Sequence, residues 1–192
     1  MDGVAGRGPP PCPLHPDRIV IDDHPAQRPV GPPLCQIRPR RENDLTAVVE
    51  VIRDAVLGIA VHDYHPAQLQ GWLLFLDDLA DLRQRLQQGW TVVAEDPIGV
   101  VALGQLHPDD HIQALYCRPR GRGRGHARAL LVALEQEGRR RGARAFSTES
   151  SRTARPFFEK HGYHVVEEEF VERGGVLIPR WKMRKPALSA IT

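Results

Sequence analysis

Apolar residues along the chain recur with two periods, and the alternation between them outlines the fold. Residues 34–38 form a short apolar run that reads as a strand. Asn43 or Asp44 then stands where a helix cap belongs, ahead of Leu45, Val48, Val49, Ile52, Val56 and Leu57 at helical spacing. The segment Val61-His-Asp-Tyr-His-Pro breaks the pattern. Pro66 suits the first turn of a second helix carrying Leu69, Trp72, Leu73 and Leu76, and residues 79–86 continue helically toward Gly89. Strands follow at 90–95, 98–106 and 111–117, separated by Asp96-Pro97 and His107-Pro-Asp-Asp. A helix begins at Gly125, carries Ala127, Leu130, Leu131 and Leu134, and stops at Gly142. A strand at 143–148, a short helix through Phe157, Phe158 and His161, and strands 165–173 and 176–183 around Gly174-Gly175 complete the order. Strand, helices, three antiparallel strands, helix, strand, helix and hairpin make a mixed α/β domain with helices on both faces of its sheet.

The first 33 residues lie outside this pattern. They hold nine of the 17 prolines and bury little apolar surface, so a disordered extension is expected there. The domain proper is expected over 34–186, with a short tail at 187–192. The chain of 192 residues is large enough for one ordinary core. Three cysteines without metal-ligand spacing, no signal core and no apolar run near the roughly 18 residues of a membrane span point to a reduced, cytoplasmic protein without a membrane segment. His62 and His65 lack companions at metal-ligand spacing, so no metal is expected.

The most informative stretch is Leu115-Tyr-Cys-Arg-Pro-Arg-Gly-Arg-Gly-Arg-Gly-His-Ala-Arg-Ala-Leu-Leu. A strand, a glycine-rich turn and a helix N-terminus in that order form an anion site. Amides of the first helical turn point outward, and the helix dipole favours negative charge there. Arg122 and Arg124 add charge suited to a pyrophosphate. The alternative is an ordinary corner with a solvated arginine face. Net charge is only +2 and aromatic interleaving is absent, which argues against nucleic acid as the partner of these arginines.

The stretch resembles the acetyl-CoA signature of the GCN5-related N-acetyltransferases, the GNAT family: Gln/Arg-x-x-Gly-x-Gly/Ala. Two registers fit, Arg120-x-x-Gly123-x-Gly125 and Arg122-x-x-Gly125-x-Ala127. The second is preferred because it sets residues 115–117 and 129–131 where the family has them. A second family feature, Ala-x-x-Phe-Tyr/Phe-Glu-Lys-x-Gly-Phe/Tyr, is similar to Ala154-Arg-Pro-Phe-Phe-Glu-Lys-His-Gly-Tyr163. The resemblance implies a largely antiparallel sheet of six to seven strands, splayed between the fourth and fifth. It also implies acetyl-CoA as co-substrate and an amine as acceptor, in a monomer or homodimer. Leu115, Tyr116 and Cys117 would pair with the pantetheine arm through their backbone. Arg122, Gly123, Arg124, Gly125, His126, Ala127 and Arg128 would hold the pyrophosphate. Ser151 and Phe158 would lie near the sulfur.

The chemistry is less fully marked. The family often places a proton-donating Tyr where this chain has Phe158, and Tyr163 is expected to pack in the core. Some relatives carry a carboxylate where this chain has Gln113, which could orient a water or the substrate. Glu149 is the leading candidate base, ahead of the turn residues His107, Asp109, Asp110 and His111. Tyr64, Gln68 and Trp72 are expected to line the acceptor pocket. A catalytically silent acyl-CoA sensor is the alternative to an enzyme.

Overall fold

The structure is a computed structural model and describes residues 36–58 and 60–186. The expected disordered extension, Leu34 at the start of the first strand, Cys12, Cys35 and the short C-terminal tail lie outside the described residues. Among the described residues, seven strands and five α-helices follow the expected order. The first sheet runs β1 (Gln36–Pro39), β2 (Trp90–Asp96), β3 (Gly99–Leu106) and β4 (Ile112–Cys117), each antiparallel to the next. The second has the order β5 (Phe146–Ser150), β7 (Val176–Lys185), β6 (His164–Arg173). The two meet through a single parallel bridge between His111 and Ser147, and beyond it β4 and β5 diverge.

Helices cover both faces. On one lie α1 (Leu45–Gly58), α2 (Pro66–Leu73) and α3 (Leu79–Gln87), with α2 and α3 joined through a 3-10 turn at Leu74–Leu76. Val48, Val51, Ile52 and Val56 of α1 are buried against Leu103, Val93 and Tyr116. Leu57, expected on that face, turns to solvent, and Val51 takes the inward place. The helical period puts positions 48, 51, 52 and 56 on one stripe, and residue 57 falls just past its edge. On the other face α4 (His126–Arg140) sinks Leu130, Leu131 and Leu134 against β3 and β4, each burial worth about 1.5–3 kcal/mol.

The start of the fifth strand and the cap of the first helix differ from the sequence expectation. The fifth strand was expected from residue 143 but starts at Phe146. Ala143 instead donates its amide to Gly138 O, closing the C-terminus of α4, and only after that turn does the chain reach its partner β7. Asn43 and Asp44 were expected to cap the first helix directly. They form a 3-10 turn at Glu42–Asp44, and the Asp44 carboxylate binds the Arg38 guanidinium at 2.7 and 2.9 Å. That bidentate pair fastens the turn to β1.

The hairpin of β6 and β7 curls back over the first face. The α2 helix touches it closely at Gly71, where a Cβ would lie 2.6 Å from Arg173 O. Only glycine lets helix and strand approach so near. The result is a roof of α1–α3 over a floor drawn from both sheets.

Candidate active site

The gap between β4 and β5 opens into two connected spaces. A narrow channel of about 230 Å³ runs between β4 and the start of α5 (Arg155–Lys160), lined by Leu115, Cys117, Ala127, Ala154, Phe157 and Phe158. A larger chamber of about 520 Å³ lies under the roof helices. Trp72, Gln113, Ala114, Tyr116, Glu149 and Ser151 line both and therefore mark their junction.

The outer end of β4 leads into the glycine-rich turn. Gly123 and Gly125 have φ of +74° and +84°, a left-handed backbone open only to glycine at low cost, and a Cβ at either would meet open space. The turn leaves the amides of Gly123, Gly125, His126, Ala127 and Arg128 without acceptors among the described residues. These amides and the α4 dipole favour negative charge at this place and make the turn a candidate anion cradle. The His126 ring turns inward and is buried, so only its amide faces the cradle.

The arginines of this region divide into two groups. Arg118 binds Glu50 at 2.6 Å and Asp54 at 3.1 Å, and Arg120 binds Asp96. Arg139, Arg140 and Arg141 pair with Glu135, Glu137 and Asp109 at the far end of α4. Arg122, Arg124 and Arg128 are exposed and make no ion pair among the described residues, so they remain available to an anion at the cradle. The Arg120 guanidinium is already committed, whereas Arg122 faces solvent.

Glu149 sits on the chamber side of β5. Its Oε2 lies 3.1 Å from His111 Nε2, and the other imidazole nitrogen, Nδ1, lies 2.9 Å from Ser147 Oγ. The bond from His111 holds the Glu149 carboxyl below the usual carboxylate range. Arg180 and Lys182 add to this effect and partial burial opposes it. The Glu149 side chain is 31% exposed, so the carboxylate remains open to the chamber. Tyr116 reaches the same junction, and its Oη accepts from Trp72 Nε1 at 3.4 Å. Burial pushes the Tyr116 phenol up, against the weaker effect of Trp72, so it stays a neutral donor.

The remaining expected site residues divide by position. Trp72 and Tyr64 line the chamber. The Tyr64 hydroxyl is already engaged, donating to Pro179 O at 3.2 Å and accepting from Arg152 N at 2.7 Å, so it offers the chamber only its ring. Gln68 lines neither space. Its Oε1 accepts from His65 N at 3.0 Å and its Nε2 donates to Leu177 O at 2.8 Å, which caps α2 and ties it to β7. Gln68 shares a helix side with Trp72, but the structure spends its amide on two backbone partners nearby. Ser151 accepts from Ala154 N at 3.1 Å and thereby shapes the start of α5. Phe158 is buried edge-on to Phe157 and Tyr163. Tyr163 is 2% exposed and donates to Glu135 Oε1 at 3.1 Å, away from the junction.

His111 is a lesser candidate base in the sequence, with no sign of its contact to Glu149, and Gln105, another chamber residue, has no mark there at all. Neither carries a local signal: His111 finds Glu149 across 38 positions, and Gln105 is one polar letter in an apolar strand. No group of three or more potential metal ligands occurs among the described residues. No helix among them is long and apolar enough to cross a membrane.

A two-part sheet split around a channel, with the glycine-rich turn at one end and a chamber at the other, defines a mixed α/β fold. Residues 60–185 match the family model described as "Acetyltransferase (GNAT) domain", and the chain belongs to the GNAT acetyltransferase family. Among solved structures it is similar to a GCN5-related N-acetyltransferase from Rhodopseudomonas palustris. That match has 28% identity and a TM-score of 0.77, covering 79% of this chain and 94% of that one. It is also 26% identical over 150 residues to YafP, an uncharacterized N-acetyltransferase of Escherichia coli (strain K12), covering 78% of this chain and 94% of YafP. The paiA N-acetyltransferase from Thermoplasma acidophilum, solved in complex with coenzyme A, shares the fold at 16% identity. Its TM-score is 0.64 over 79% of this chain and 98% of that one.

Proposed function

We propose that the protein transfers an acetyl group from acetyl-CoA to a primary amine, by direct attack while both are bound. The observation that carries this is the continuity of cradle, channel and chamber, with one open carboxylate at their junction. The fit to acetyl-CoA follows from the chain's own groups. Five amides and three arginines that have no partner among the described residues suit a pyrophosphate. The parted edge of β4 offers backbone partners to a pantetheine amide, as a missing strand would. Acetyl-CoA supplies the acetyl group as a thioester, whose carbonyl carbon the amine attacks as the C–S bond breaks.

Glu149 draws the cationic amine to the junction and accepts its hydrogen bond. Its low-titrating carboxyl stays ionised and orients the amine, whose extra proton leaves to water before the neutral nitrogen attacks. Tyr116 and Ser151, both at the junction, hold hydroxyl protons that can be donated toward the developing charge on oxygen or sulfur. Phe158 keeps water from the narrow channel and has no proton to give. A chamber of about 520 Å³ with walls from Trp72, Tyr64 and Phe75 suits a small-molecule amine.

Two measurements test the proposal: thermal stabilisation by acetyl-CoA, and release of free CoA thiol across a panel of small amines. Stabilisation together with amine-dependent release is expected. Absence of stabilisation at millimolar acetyl-CoA would overturn it.

A further inference from the structure

The chamber contains a buried polar atom that the fold itself does not use. Gln105 on β3 is 4% exposed. Its Nε2 donates to Arg85 O at 2.7 Å and to Gln88 O at 2.9 Å, capping the end of α3. Both partners are carbonyl oxygens, so both amide hydrogens are spent and the orientation of the amide is chemically forced. The remaining atom, Oε1, has no partner among the described residues. Nor is it sealed from solvent, as Arg118 Nε and the two His126 nitrogens are. Gln105 lines the chamber, so this oxygen is an acceptor waiting at its floor.

The strand register fixes its neighbours. Gln105 lies opposite Ala114, and Leu103 lies opposite Tyr116, so all four side chains share the chamber face. The small Ala114 leaves the space beside the amide open. Glu149 is on β5, two strand spacings away across β4, or about 10 Å before the splay is counted. Tyr116 and Trp72 line the same chamber and offer it aromatic surface.

We propose that Gln105 Oε1 is the second recognition point for the acceptor, which is therefore a primary amine on a flat apolar body with an N–H or O–H donor at its far end. This rests on the acetyltransferase reading given above. The amine meets Glu149, the body lies against Trp72 and Tyr116, and the far donor satisfies Gln105. A ligand with an ether or a bare ring at that end strips water from Oε1 and returns nothing, which disfavours it.

The test compares kcat/KM with acetyl-CoA for tyramine, 2-phenylethylamine and 4-methoxyphenethylamine, in the wild type and in Gln105→Met. The wild type should prefer tyramine to both others by about tenfold, mostly through KM. In Gln105→Met the preference should fall to about one. Loss of the α3 cap alone would slow all three equally, so the ratio separates recognition from stability. Should Gln105→Met fail to fold, the wild-type ordering decides. Equal use of the three amines, or a tyramine preference that survives in Gln105→Met, overturns the inference. If none of the three is acetylated while another amine is, the inference falls and the acetyltransferase reading stands. If no amine releases CoA, both fall.

Discussion

His111 Nε2 lies 3.1 Å from Glu149 Oε2, and the same imidazole grips Ser147 Oγ at 2.9 Å through Nδ1. His111 and Ser147 are also the last backbone pair to touch before β4 and β5 part. One ring therefore closes the base of the cleft and orients the carboxylate at its junction. A group held by hydrogen bonds at both nitrogens loses little freedom when a ligand arrives.

The titration of Glu149 follows from this contact. The His111 bond is the largest cause of its lowered value, with Arg180 and Lys182 acting in the same sense. A carboxyl depressed in the fold keeps its charge as pH falls below the ordinary value of about 4.3. Its stabilising contribution is present above that unfolded value and is lost as pH falls through the folded one. In His111→Phe the Glu149 midpoint should rise toward the ordinary range, as read by NMR titration of the side-chain carboxyl. An unchanged midpoint would show that Arg180 and Lys182 alone set it.

Removing the charge itself should cost catalysis. Glu149→Gln keeps the shape and a partner for His111 but no longer attracts a cation. CoA release should fall by about 10²-fold in kcat/KM, within the usual range for a proton-handling group. Acetyl-CoA affinity should stay near the wild-type value, because the cradle at Gly123–Arg128 is remote from the carboxylate. Calorimetry with acetyl-CoA alone separates the two effects.

The two buried tyrosines make contrasting controls. Tyr163 bonds the buried Glu135, which also binds Lys185 at 2.8 Å and Arg139 at 2.8 Å, away from the cleft. Tyr163→Phe should lose about 1 kcal/mol, a drop of about 2–4 °C in Tm, with acetyl transfer unchanged. Tyr64→Phe should cost at least as much, since it leaves Arg152 N–H and Pro179 O unpaired. It should also raise the acceptor KM, because that hydroxyl fastens β7 to the turn before α5.

The order of strands and helices could be read from the sequence because periods of two and of 3.6 alternate cleanly along it. The glycine-rich turn was equally legible, since glycine at left-handed positions just before an apolar helix is a local signal. What escaped notice depended on long-range pairing. Gln68 looked like a chamber residue because it shares a helix side with Trp72, yet Leu177 O, 109 positions away, claims its amide. The start of β5 shifted by three residues because Ala143 closes a helix rather than opening a strand. The arginine run reads as one cluster in sequence. In space, acidic residues from α1, the end of β2 and α4 itself neutralise most of it.

Gly125 offers the most direct test of the cradle. It precedes α4 with φ of +84°, and a Cβ there would touch nothing within 4 Å. Any side chain therefore costs backbone strain of about 1–2 kcal/mol but causes no clash. Gly125→Ala should lower Tm by a few degrees and keep most acetyl-CoA affinity, because its methyl points into open space. Gly125→Glu carries the same strain and adds a negative charge beside the free amides of His126, Ala127 and Arg128. It should be about as stable as Gly125→Ala, since a carboxylate at a helix N-terminus is itself favourable. Its affinity for acetyl-CoA should nevertheless fall by at least 10²-fold, because that carboxylate competes with and repels the pyrophosphate. Thermal melts and calorimetry on the two variants together isolate the charge from the strain. Equal acetyl-CoA binding by both would move the phosphate site away from this turn.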